Sequence, residues 1–289
     1  MPEPAKQQFL AHFGVYYCLQ CTAQMTTSPL SSLAKWSLER DDESDPNGRI
    51  YRNSSGEIFH SVTRILKETS ASKAHLEAWM ERLGVERATQ ERDVAAERGT
   101  RTHNAAEYVL RTAKKISEAT AKKKGNLYVD KYNLECVPAP LTKWAIKQTL
   151  PSAPKVGLSA NGYRRSLLNW IAENVTCIHA IEFAIQHPGG FAGTADFLGN
   201  IAGKGPLIVD WKTSFNKRGE LLLIDYCDQL GAYSLGLKHL CGLQAAGGIV
   251  VVARRAGPPD IRHLSELELR GAEARFLDRL SDYRSSLGL

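Results

Sequence analysis

The sequence predicts an α/β domain in which a mixed central β-sheet of mostly four or five strands is flanked by helices. Two apolar runs, 191–200 and 206–213, are separated by a glycine-containing turn and predict a β-hairpin. A continuous β-branched run at 247–253 predicts a strand that is buried on both faces. Apolar residues at helical spacing in 91–112 and 220–240 predict two helices that frame the hairpin.

The first 47 residues differ in character from the rest of the 289-residue chain. They are polar with scattered aromatic residues and end in an acidic, turn-forming stretch. We predict a poorly ordered N-terminal extension, or a short appended hairpin, over 1–47 and one folded domain over 48–289. The extension lacks the pattern of a secretory signal, and the absence of arginine before Glu39 disfavours an organelle transit segment.

No apolar stretch reaches the roughly 18 residues that span a bilayer. We therefore expect an intracellular, cytoplasmic protein of bacterial or phage type that makes no membrane contact.

Six cysteines raise the question of a metal cluster. Cys18 and Cys21 have the spacing of a zinc knuckle, but a second Cys/His pair does not lie nearby in the sequence. Cys227 and Cys241 are fourteen residues apart, unlike the closely spaced cysteine trio of an iron–sulfur site. We expect buried or free thiols and no iron–sulfur cluster.

The predicted helix 91–112 places Gly99, His103 and Glu107 on one face at steps of four. A glycine inside a helix costs about 1 kcal/mol relative to alanine, so we expect another backbone or a substrate to approach closely there. His103 is a candidate metal ligand, and Glu107 is a candidate partner for its second ring nitrogen. The alternatives are a core or surface histidine and an exposed carboxylate.

Positive charge is concentrated after this helix, in a predicted helical and basic insertion at about 113–165. This local concentration and the net charge of +6 fit a polyanionic partner. The alternative is a solvated insertion that binds no partner. With a polyanionic partner, the lysines of this region would contact phosphates without reading sequence. The basic residues are Lys114, Lys115, Lys122, Lys123, Lys124, Lys143, Lys147, Arg164 and Arg165.

The hairpin carries two aspartates at equal distance from its turn. Centring the turn on Gly203 places Asp196 opposite Asp210, with Cβ atoms roughly 4.5–5.5 Å apart. Facing carboxylates repel, so they require a shared proton or a bridging cation, and Mg²⁺ prefers carboxylate and water oxygens. A solvated acidic rim is the alternative, but the apolar run 207–209 leads directly into Asp210, as in a buried strand. The preceding strand, 179–185, offers Glu182 as a further metal or water contact, or as a structural residue.

Three more polar residues accompany the aspartates. Lys212 lies on the same strand face as Asp210 and can polarise water or hold a phosphate oxygen. Gln229 and Tyr233 share a stripe of the helix 220–240, and their uncharged groups suit hydrogen bonding to phosphate, lysine or water; a core tyrosine is the alternative. Arg254 ends the strand 247–253, where it contacts either DNA phosphate or solvent.

Five motifs in this order resemble those of the RecB-type branch of the PD-(D/E)XK nucleases. The resemblance spans about residues 50–255, and the order and spacing of the motifs make it specific. The motifs are Ser61-Val-Thr-Arg-Ile-Leu66, which is similar to a segment of phage-type and mitochondrial-genome-maintenance-type exonucleases, Arg98-Gly-Thr-Arg-Thr-His103, Gly193-Thr-Ala-Asp196, Asp210-Trp-Lys212 and Gln229-x-x-x-Tyr233.

The resemblance implies a restriction-endonuclease-like core and assigns roles to these residues. It implies that Mg²⁺ or Mn²⁺ is bound by His103, Asp196, Asp210 and the carbonyl of Trp211, and that Lys212 steadies the attacking water. Gln229 and Tyr233 join the catalytic group. The DNA contacts that we predict beside it are Thr63, Arg64, Arg101, Lys122, Lys123, Lys124 and Arg254.

The resemblance further implies an exonuclease that acts on single-stranded DNA or DNA ends in replication, recombination or repair. The alternatives are a structure-specific endonuclease, a CRISPR-adaptation-like nuclease, and a non-catalytic DNA-binding subunit of a helicase–nuclease complex. The sequence has no phosphate-binding loop, so a helicase or recombination protein would be a separate partner. Polarity of digestion and oligomeric state do not follow from these residues.

Overall fold

The computed structural model describes residues 28–35, 38–42, 45, 48–216 and 219–288. Its strands are β1 (Glu39–Asp41), β2 (Ile50–Arg52), β3 (Ile58–Ser61), β4 (Tyr128–Val129), β5 (Glu135–Cys136), β6 (Val175–His187), β7 (Phe191–Ile201), β8 (Lys204–Ser214), β9 (Gly247–Arg254) and β10 (Asp260–Ser265). Its α-helices are α1 (Val62–Glu68), α2 (Lys73–Leu83), α3 (Val85–Lys124), α4 (Ala139–Thr149), α5 (Leu158–Asn174), α6 (Glu220–Cys241) and α7 (Glu266–Ser286). Within these residues, none of the helices combines the length and apolarity needed to cross a membrane.

Eight strands form one mixed sheet. Its order is β1-β2-β3-β7-β8-β9-β10, with β6 paired to β7. The β3/β7 and β8/β9 pairs are parallel, whereas the β6/β7/β8 meander is antiparallel. The predicted mixed sheet flanked by helices is confirmed. Four or five strands is too few, because β1, β2 and β3 are only three or four residues long and carry little periodic signal.

The sheet begins before the predicted domain boundary at residue 48. β1 pairs with β2 and β2 pairs with β3, and Tyr51 and Phe59 pack against Ala192 of β7. A 3₁₀ helix at Pro29–Lys35 also contributes apolar residues to the core. Residues 39–41 of the predicted extension thus form an edge strand of the main sheet, and the division of the chain at residue 48 stays a prediction. Residues 1–27 lie outside the described residues.

Two apolar cores lie on opposite faces of the sheet. α1, α6 and α7 cover one face, where Phe276 packs, and α3, α4 and α5 cover the other, where Leu167 packs. Val250 belongs to the first core and Val251 to the second, as the alternation along a strand requires. The predicted insertion at 113–165 is therefore no separate appendage, since its helix α4 completes the second core.

The helix α3 is 40 residues long and extends the predicted helix at both ends. Ion pairs one turn apart, Glu107 with Arg111 and Lys114 with Glu118, stabilise its charged faces. Lysines 122–124 occupy the last turn, where the helix dipole favours positive charge. Gly125 ends the helix in the left-handed conformation, with a φ of 66°.

One edge of β7 has two partners in succession. β6 pairs along the whole of the opposite edge of β7. On the edge of β7 that faces away from β6, Phe191 and Ala192 pair with β3, whereas the segment 197–201 pairs with β8. Residues 193–196 therefore lie in a fork between β3 and β8, with backbone groups that are not used by either strand ladder.

Candidate active site

The two aspartates lie where β7 and β8 separate. Phe197 pairs with Val209 in the predicted register, and the next positions in that register are Asp196 and Asp210. The ladder stops there, and Oδ2 of Asp196 accepts the backbone N–H of Trp211 at 2.6 Å. Asp196 and Asp210 are 7% and 1% exposed. Two negative charges therefore converge in a place that water barely screens.

The ammonium group of Lys212 lies beside Asp210. Its Nζ is 2.5 Å from Oδ2 of Asp210 and 5.2 Å from the ring centroid of Tyr226. Burial lowers the pKa of Lys212, but the carboxylates of Asp210 and Asp196 outweigh burial and leave this pKa above its usual value. Lys212 is therefore a cation and a hydrogen-bond donor at neutral pH, and not a general base.

The helix α6 presents Gln229 and Tyr233 to Asp210. Nε2 of Gln229 donates to Oδ1 of Asp210 at 3.1 Å and to the Tyr233 hydroxyl at 2.7 Å. Burial raises the pKa of Tyr233 well above its usual value, so the phenol stays protonated. A Cβ on Gly193 would lie 2.9 Å from the Tyr233 ring, which explains the glycine of the Gly-Thr-Ala-Asp segment. The pair thus fixes the Asp210 carboxylate, a contact that the sequence did not predict.

The helix α3 brings His103 to the fork. Its Nδ1 is 3.6 Å from Oδ1 of Asp196. One turn earlier, a Cβ on Gly99 would meet Oγ1 of Thr213 at 3.8 Å, an ordinary van der Waals contact. The predicted close approach of another backbone at Gly99 is therefore wrong, and packing does not explain this glycine.

Glu182 reaches the same place from the middle of β6. A carboxylate oxygen of Glu182, a carboxylate oxygen of Asp196 and a ring nitrogen of His103 all lie within 4.8 Å of one another. Burial, followed by repulsion from neighbouring carboxylates with Asp196 first, raises the pKa of Glu182 to about 8. Burial also raises the pKa of Asp210 to about 6, against the opposing charge of Lys212.

A comparison with known families identifies the superfamily of the chain. The sequence model of the PD-(D/E)XK nuclease superfamily matches residues 30–282, most of the chain. The chain belongs to the PD-(D/E)XK nuclease superfamily. It is therefore a nuclease, a hydrolase from a superfamily that binds DNA and uses divalent metal ions. The predicted superfamily and its restriction-endonuclease-like fold are confirmed, whereas the RecB-type branch stays a prediction. A search of curated proteins finds no match.

The acidic cluster of this PD-(D/E)XK nuclease fits a divalent cation. Oδ2 of Asp210 is buried and has no hydrogen bond of good geometry, although Lys212 is within ion-pair distance. Burial is the first cause of the raised pKa values of Asp210 and Glu182, so their ionised forms are disfavoured here and a bound cation would stabilise them. Carboxylates with one imidazole suit Mg²⁺ or Mn²⁺. Asp196, Asp210, Glu182 and His103 are the side chains that would hold the ion.

The site lines a cleft of about 220 Å³, and the N-terminal hairpin forms part of its wall. Arg40, Arg49 and Tyr51 line this cleft, and the sequence analysis missed them. The Nε atoms of Arg40 and Arg49 donate to the two carboxylate oxygens of Asp42 at 2.7 and 2.5 Å. The available signal was the turn-forming stretch 53–56 between two short apolar pairs, 50–51 and 58–59, which predicts a hairpin but not its position beside the cleft.

Two predicted DNA contacts of the nuclease are engaged elsewhere. Arg64 is 6% exposed, and its Nη1 donates to Asp45 at 2.7 Å. Arg254 donates to Asp260 at 2.9 Å. The prediction for Arg64 is wrong, because its position on the inner side of α1 buries the guanidinium. The prediction for Arg254 requires the loss of an ion pair.

The remaining candidates fall into two groups. Thr63 lines the cleft, and its contact with DNA stays a prediction. Lys122, Lys123 and Lys124 lie at the far end of α3, roughly 30 Å along the helix axis from His103 at 1.5 Å per residue. The structure does not bring these lysines to the catalytic cluster.

Three further predicted residues have definite partners. Glu107 accepts a hydrogen bond from Arg111 at 2.6 Å, so the expected contact with His103 is replaced by an ion pair one turn further along α3. Arg101 pairs with Glu97 at the helix surface. The indole of Trp211 packs edge-on against another tryptophan in the second core, and metal binding by its carbonyl stays a prediction.

Proposed function

We propose that this nuclease is a divalent-metal-dependent deoxyribonuclease that removes nucleotides from single-stranded DNA or from DNA ends. The observation that carries the proposal is a second groove that shares Thr63, Lys212 and Gln229 with the catalytic cleft. A strand bound in that groove would deliver a phosphodiester to Asp196 and Asp210. The resemblance to RecB-type exonucleases supports the same reading.

The groove has a volume of about 560 Å³ and lies between α1, α2 and α6. Its apolar residues include Leu76, Met80 and Leu222, and Tyr226 stands between them and Lys212. Apolar and aromatic side chains beside cations suit unstacked bases joined by phosphates. The groove therefore favours a single strand or a frayed end over an intact duplex.

Each group in the cleft has its own role in phosphodiester hydrolysis. A divalent cation held there supplies a water of lowered pKa and neutralises charge on the phosphate. Lys212, which stays protonated, donates to the attacking water or to a phosphate oxygen. Gln229 and Tyr233 hold the Asp210 carboxylate in place. In-line displacement then breaks the P–O3′ bond and leaves a 5′-phosphate and a 3′-hydroxyl.

The rim arginines provide a place for the neighbouring phosphate. Arg40 and Arg49 both bind the carboxylate of Asp42, which shows that their guanidinium groups converge on one anion. A phosphate oxygen carries the same charge and accepts the same hydrogen bonds. We propose that a substrate phosphate exchanges with Asp42 at this rim.

Digestion of end-labelled single-stranded DNA beside a covalently closed circle tests the proposed activity. With Mg²⁺ or Mn²⁺, we expect loss of the linear strand only. Asp210→Asn and Lys212→Met should each reduce the rate by at least about 100-fold, as loss of a group that stabilises transition-state charge does. Asp278→Asn and Lys238→Met, at exposed positions of α7 and α6, are matched controls and should retain activity.

The other outcomes of this assay select the other functions. Cleavage of the circle would indicate a structure-specific or CRISPR-adaptation-like endonuclease. Absence of metal-dependent cleavage of either DNA would indicate a non-catalytic binding subunit, or an activity that requires a helicase partner.

A second variant pair tests the groove by itself. Met80→Glu places a negative charge among the apolar residues, so we expect a higher KM for single-stranded DNA with little change in kcat. Leu267→Glu, at an 81% exposed position of α7, is the control. Equal KM values for the two variants would show that the strand does not lie in this groove.

A further inference from the structure

A second group of metal-binding side chains lies at the start of β6, outside the catalytic cleft. Sγ of Cys136, Sγ of Cys177 and a ring nitrogen of His179 lie within 4.8 Å of one another. The three residues, which we name the Cys₂His cluster, are 0%, 2% and 7% exposed. Cys136 comes from β5 and the other two from β6, so the fold brings together ligands that are distant in sequence. The nuclease chemistry uses none of them.

The spacing within this cluster is close to that of a tetrahedral metal site. Sγ of Cys177 is 3.9 Å from Nδ1 of His179, and Sγ of Cys136 is 3.8 Å from Oδ2 of Asp130. With Zn–S of about 2.3 Å and Zn–N or Zn–O of about 2.0 Å, the corresponding edges of a tetrahedron are roughly 3.6 Å. The Cys177–His179 edge is within a few tenths of an ångström of this value, and the other edges of the Cys₂His cluster are at most 4.8 Å. The Asp130 carboxylate contacts Cys136 but is not within 4.8 Å of all three ligand atoms, so its side chain would have to turn towards the ion to complete the site.

The backbone of β6 is irregular where it carries these ligands. Its register against β7 shifts between Val175 and Cys177 and again between Ile178 and Ala180. Such bulges redirect side chains and are common beside functional sites. The two shifts bracket Cys177 and include the position of His179.

The second nitrogen of His179 has the partner that a metal-bound histidine requires. Its Nε2 lies 3.2 Å from Oδ1 of Asn200 on β7. Donation of the Nε2 proton to this oxygen selects the tautomer whose Nδ1 lone pair faces Cys177. Metal-binding histidines usually make such an outer hydrogen bond, which fixes the orientation of the ring.

We propose that Cys136, Cys177 and His179 bind one structural transition-metal ion, with Asp130 as the fourth ligand. Oδ1 of Asp130 accepts the backbone N–H groups of Tyr132 and Leu134 at 2.9 and 3.0 Å, and Oδ2 is the oxygen that faces Cys136. Two thiolates and an imidazole in a closed site are zinc ligands, whereas Mg²⁺ prefers oxygen.

The site would fasten the β4/β5 hairpin to β6. His179 precedes Glu182 by three residues on that strand, so the ion would brace the strand that carries a carboxylate of the catalytic cleft. The structural ion and the catalytic ion use different ligands. The proposal therefore does not depend on nuclease activity.

Metal content of the full chain tests the proposal. Protein purified without a histidine tag and exchanged into zinc-free buffer with Mg²⁺ should retain about one zinc per chain by mass spectrometry. His103→Ala should retain the zinc, because that residue belongs to the catalytic cleft. Cys177→Ser and His179→Asn should lose it, whereas Cys227→Ser, a buried cysteine of α6, should not. Zinc that persists equally in Cys177→Ser and Cys227→Ser would overturn the proposal.

Two measurements that do not need a cluster variant remain decisive where such a variant fails to fold. Replacement of the metal by Co²⁺ should give thiolate-to-cobalt charge-transfer absorption and the intense visible bands of a tetrahedral site. The spectrum should persist in a Cys18→Ser, Cys21→Ser double variant. The denatured, chelator-treated chain should titrate all six cysteines as thiols. A loss of two thiols would indicate a Cys136–Cys177 disulfide, and six thiols without bound metal would indicate a buried thiol pair; either result overturns the proposal.

Discussion

Glu182 is held in the left-handed region of backbone space, with a φ of 45°, in the middle of an otherwise extended strand. For a residue other than glycine such a conformation costs about 1–3 kcal/mol and is concentrated at functional sites. The strain directs the carboxylate into the cleft beside Asp196. This backbone strain therefore accompanies the placement of a third carboxylate in the candidate active site.

Replacing this carboxylate should weaken the metal site. We expect Glu182→Gln to lower the apparent Mg²⁺ affinity roughly 10- to 100-fold, the range seen for groups that support a metal site. Without metal, at pH 7, the same variant should be more stable than the parent, because folding of the parent requires proton uptake by a carboxyl of raised pKa and folding of the glutamine variant does not. Glu118→Gln, on α3, is the matched control. Mg²⁺ titrations of cleavage that coincide for the two variants would remove Glu182 from the site.

The raised pKa values predict how the metal-free protein responds to pH. The pKa of Glu182 is raised from 4.5 to about 8 and that of Asp210 from 3.8 to about 6. Between its ordinary and its raised pKa each group binds more protons in the folded state than in the unfolded state, so the contribution of the two carboxyls to stability falls as pH rises from about 4 to about 8. Urea denaturation in chelator should show this fall, and Mg²⁺ should reduce it by binding the ionised carboxylates. Stability that rises over this range would contradict the assigned environments.

At the level of the helices, two interior glycines have opposite surroundings. A Cβ on Gly99 of α3 would meet its nearest neighbour at 3.8 Å, whereas a Cβ on Gly231 of α6 would lie 2.5 Å from the backbone of Ala272 on α7. Gly99→Ala should therefore raise the free energy of unfolding by up to about 1 kcal/mol. Gly231→Ala should lower it by about 1–3 kcal/mol, because α6 and α7 must separate.

Denaturant unfolding of the two alanine variants measures the predicted rise and the predicted fall in the free energy of unfolding. A loss of activity in Gly99→Ala without loss of stability would show that substrate, and not packing, requires the glycine. A stable Gly231→Ala variant would mean that the two helices tolerate a wider spacing than the structure shows.

Local patterns were sufficient to predict α6 and the β7/β8 hairpin. Both have strong periodicity, and the register of the hairpin follows from its turn, which is why Asp196 and Asp210 were placed together correctly. The motif spacing also identified Lys212 and the α3 face that carries His103. These features depend on neighbours within about one element.

The missing features depend on distant parts of the chain. The strands β1, β2 and β3 are too short for periodicity, and they become a sheet only because β7 offers an edge to β3. The left-handed conformation of Glu182 occurs inside a largely apolar strand. No glycine or other turn-forming residue in the sequence there predicts it. The burial of Arg64 depends on which face of α1 points inward and on the position of Asp45. Neither can be predicted from the local sequence, which is why Arg64 was predicted as a DNA contact.

Across the whole molecule, a network of ion pairs and hydrogen bonds joins α1, near the start of the domain, to α6 and α7. Arg279 of α7 donates to Asp228 and Asp225 of α6 at 3.0 and 2.8 Å, and to the carbonyl of Leu66 and the hydroxyl of Thr69 at 2.6 and 2.9 Å. The side chain of Asp228 is 1% exposed. One guanidinium thus holds α1, α6 and α7 together, and α1 carries the cleft residue Thr63.

Arg279→Ala should lower the free energy of unfolding by about 3 kcal/mol, at the low end of the range for a broken buried pair, because Arg275 still contacts Asp228. Activity should fall as well, since α1 loses its anchor. Arg284→Ala, at an exposed position of the same helix, should change neither quantity appreciably. Thermal unfolding and cleavage assays on both variants provide the comparison, and a harmless Arg279→Ala would show that α1 is held by its apolar contacts alone.

The contact between Leu66 and Arg279 also has a consequence in time. The two residues are 213 positions apart. A ribosome that adds about 5–20 residues per second needs roughly 10–40 s to synthesise that interval. Asp196, Asp210 and Lys212 are made within this interval, while α1 still lacks the guanidinium that fastens it beside the cleft. The cleft therefore reaches its final form only after all the residues from α1 to α7 have been synthesised.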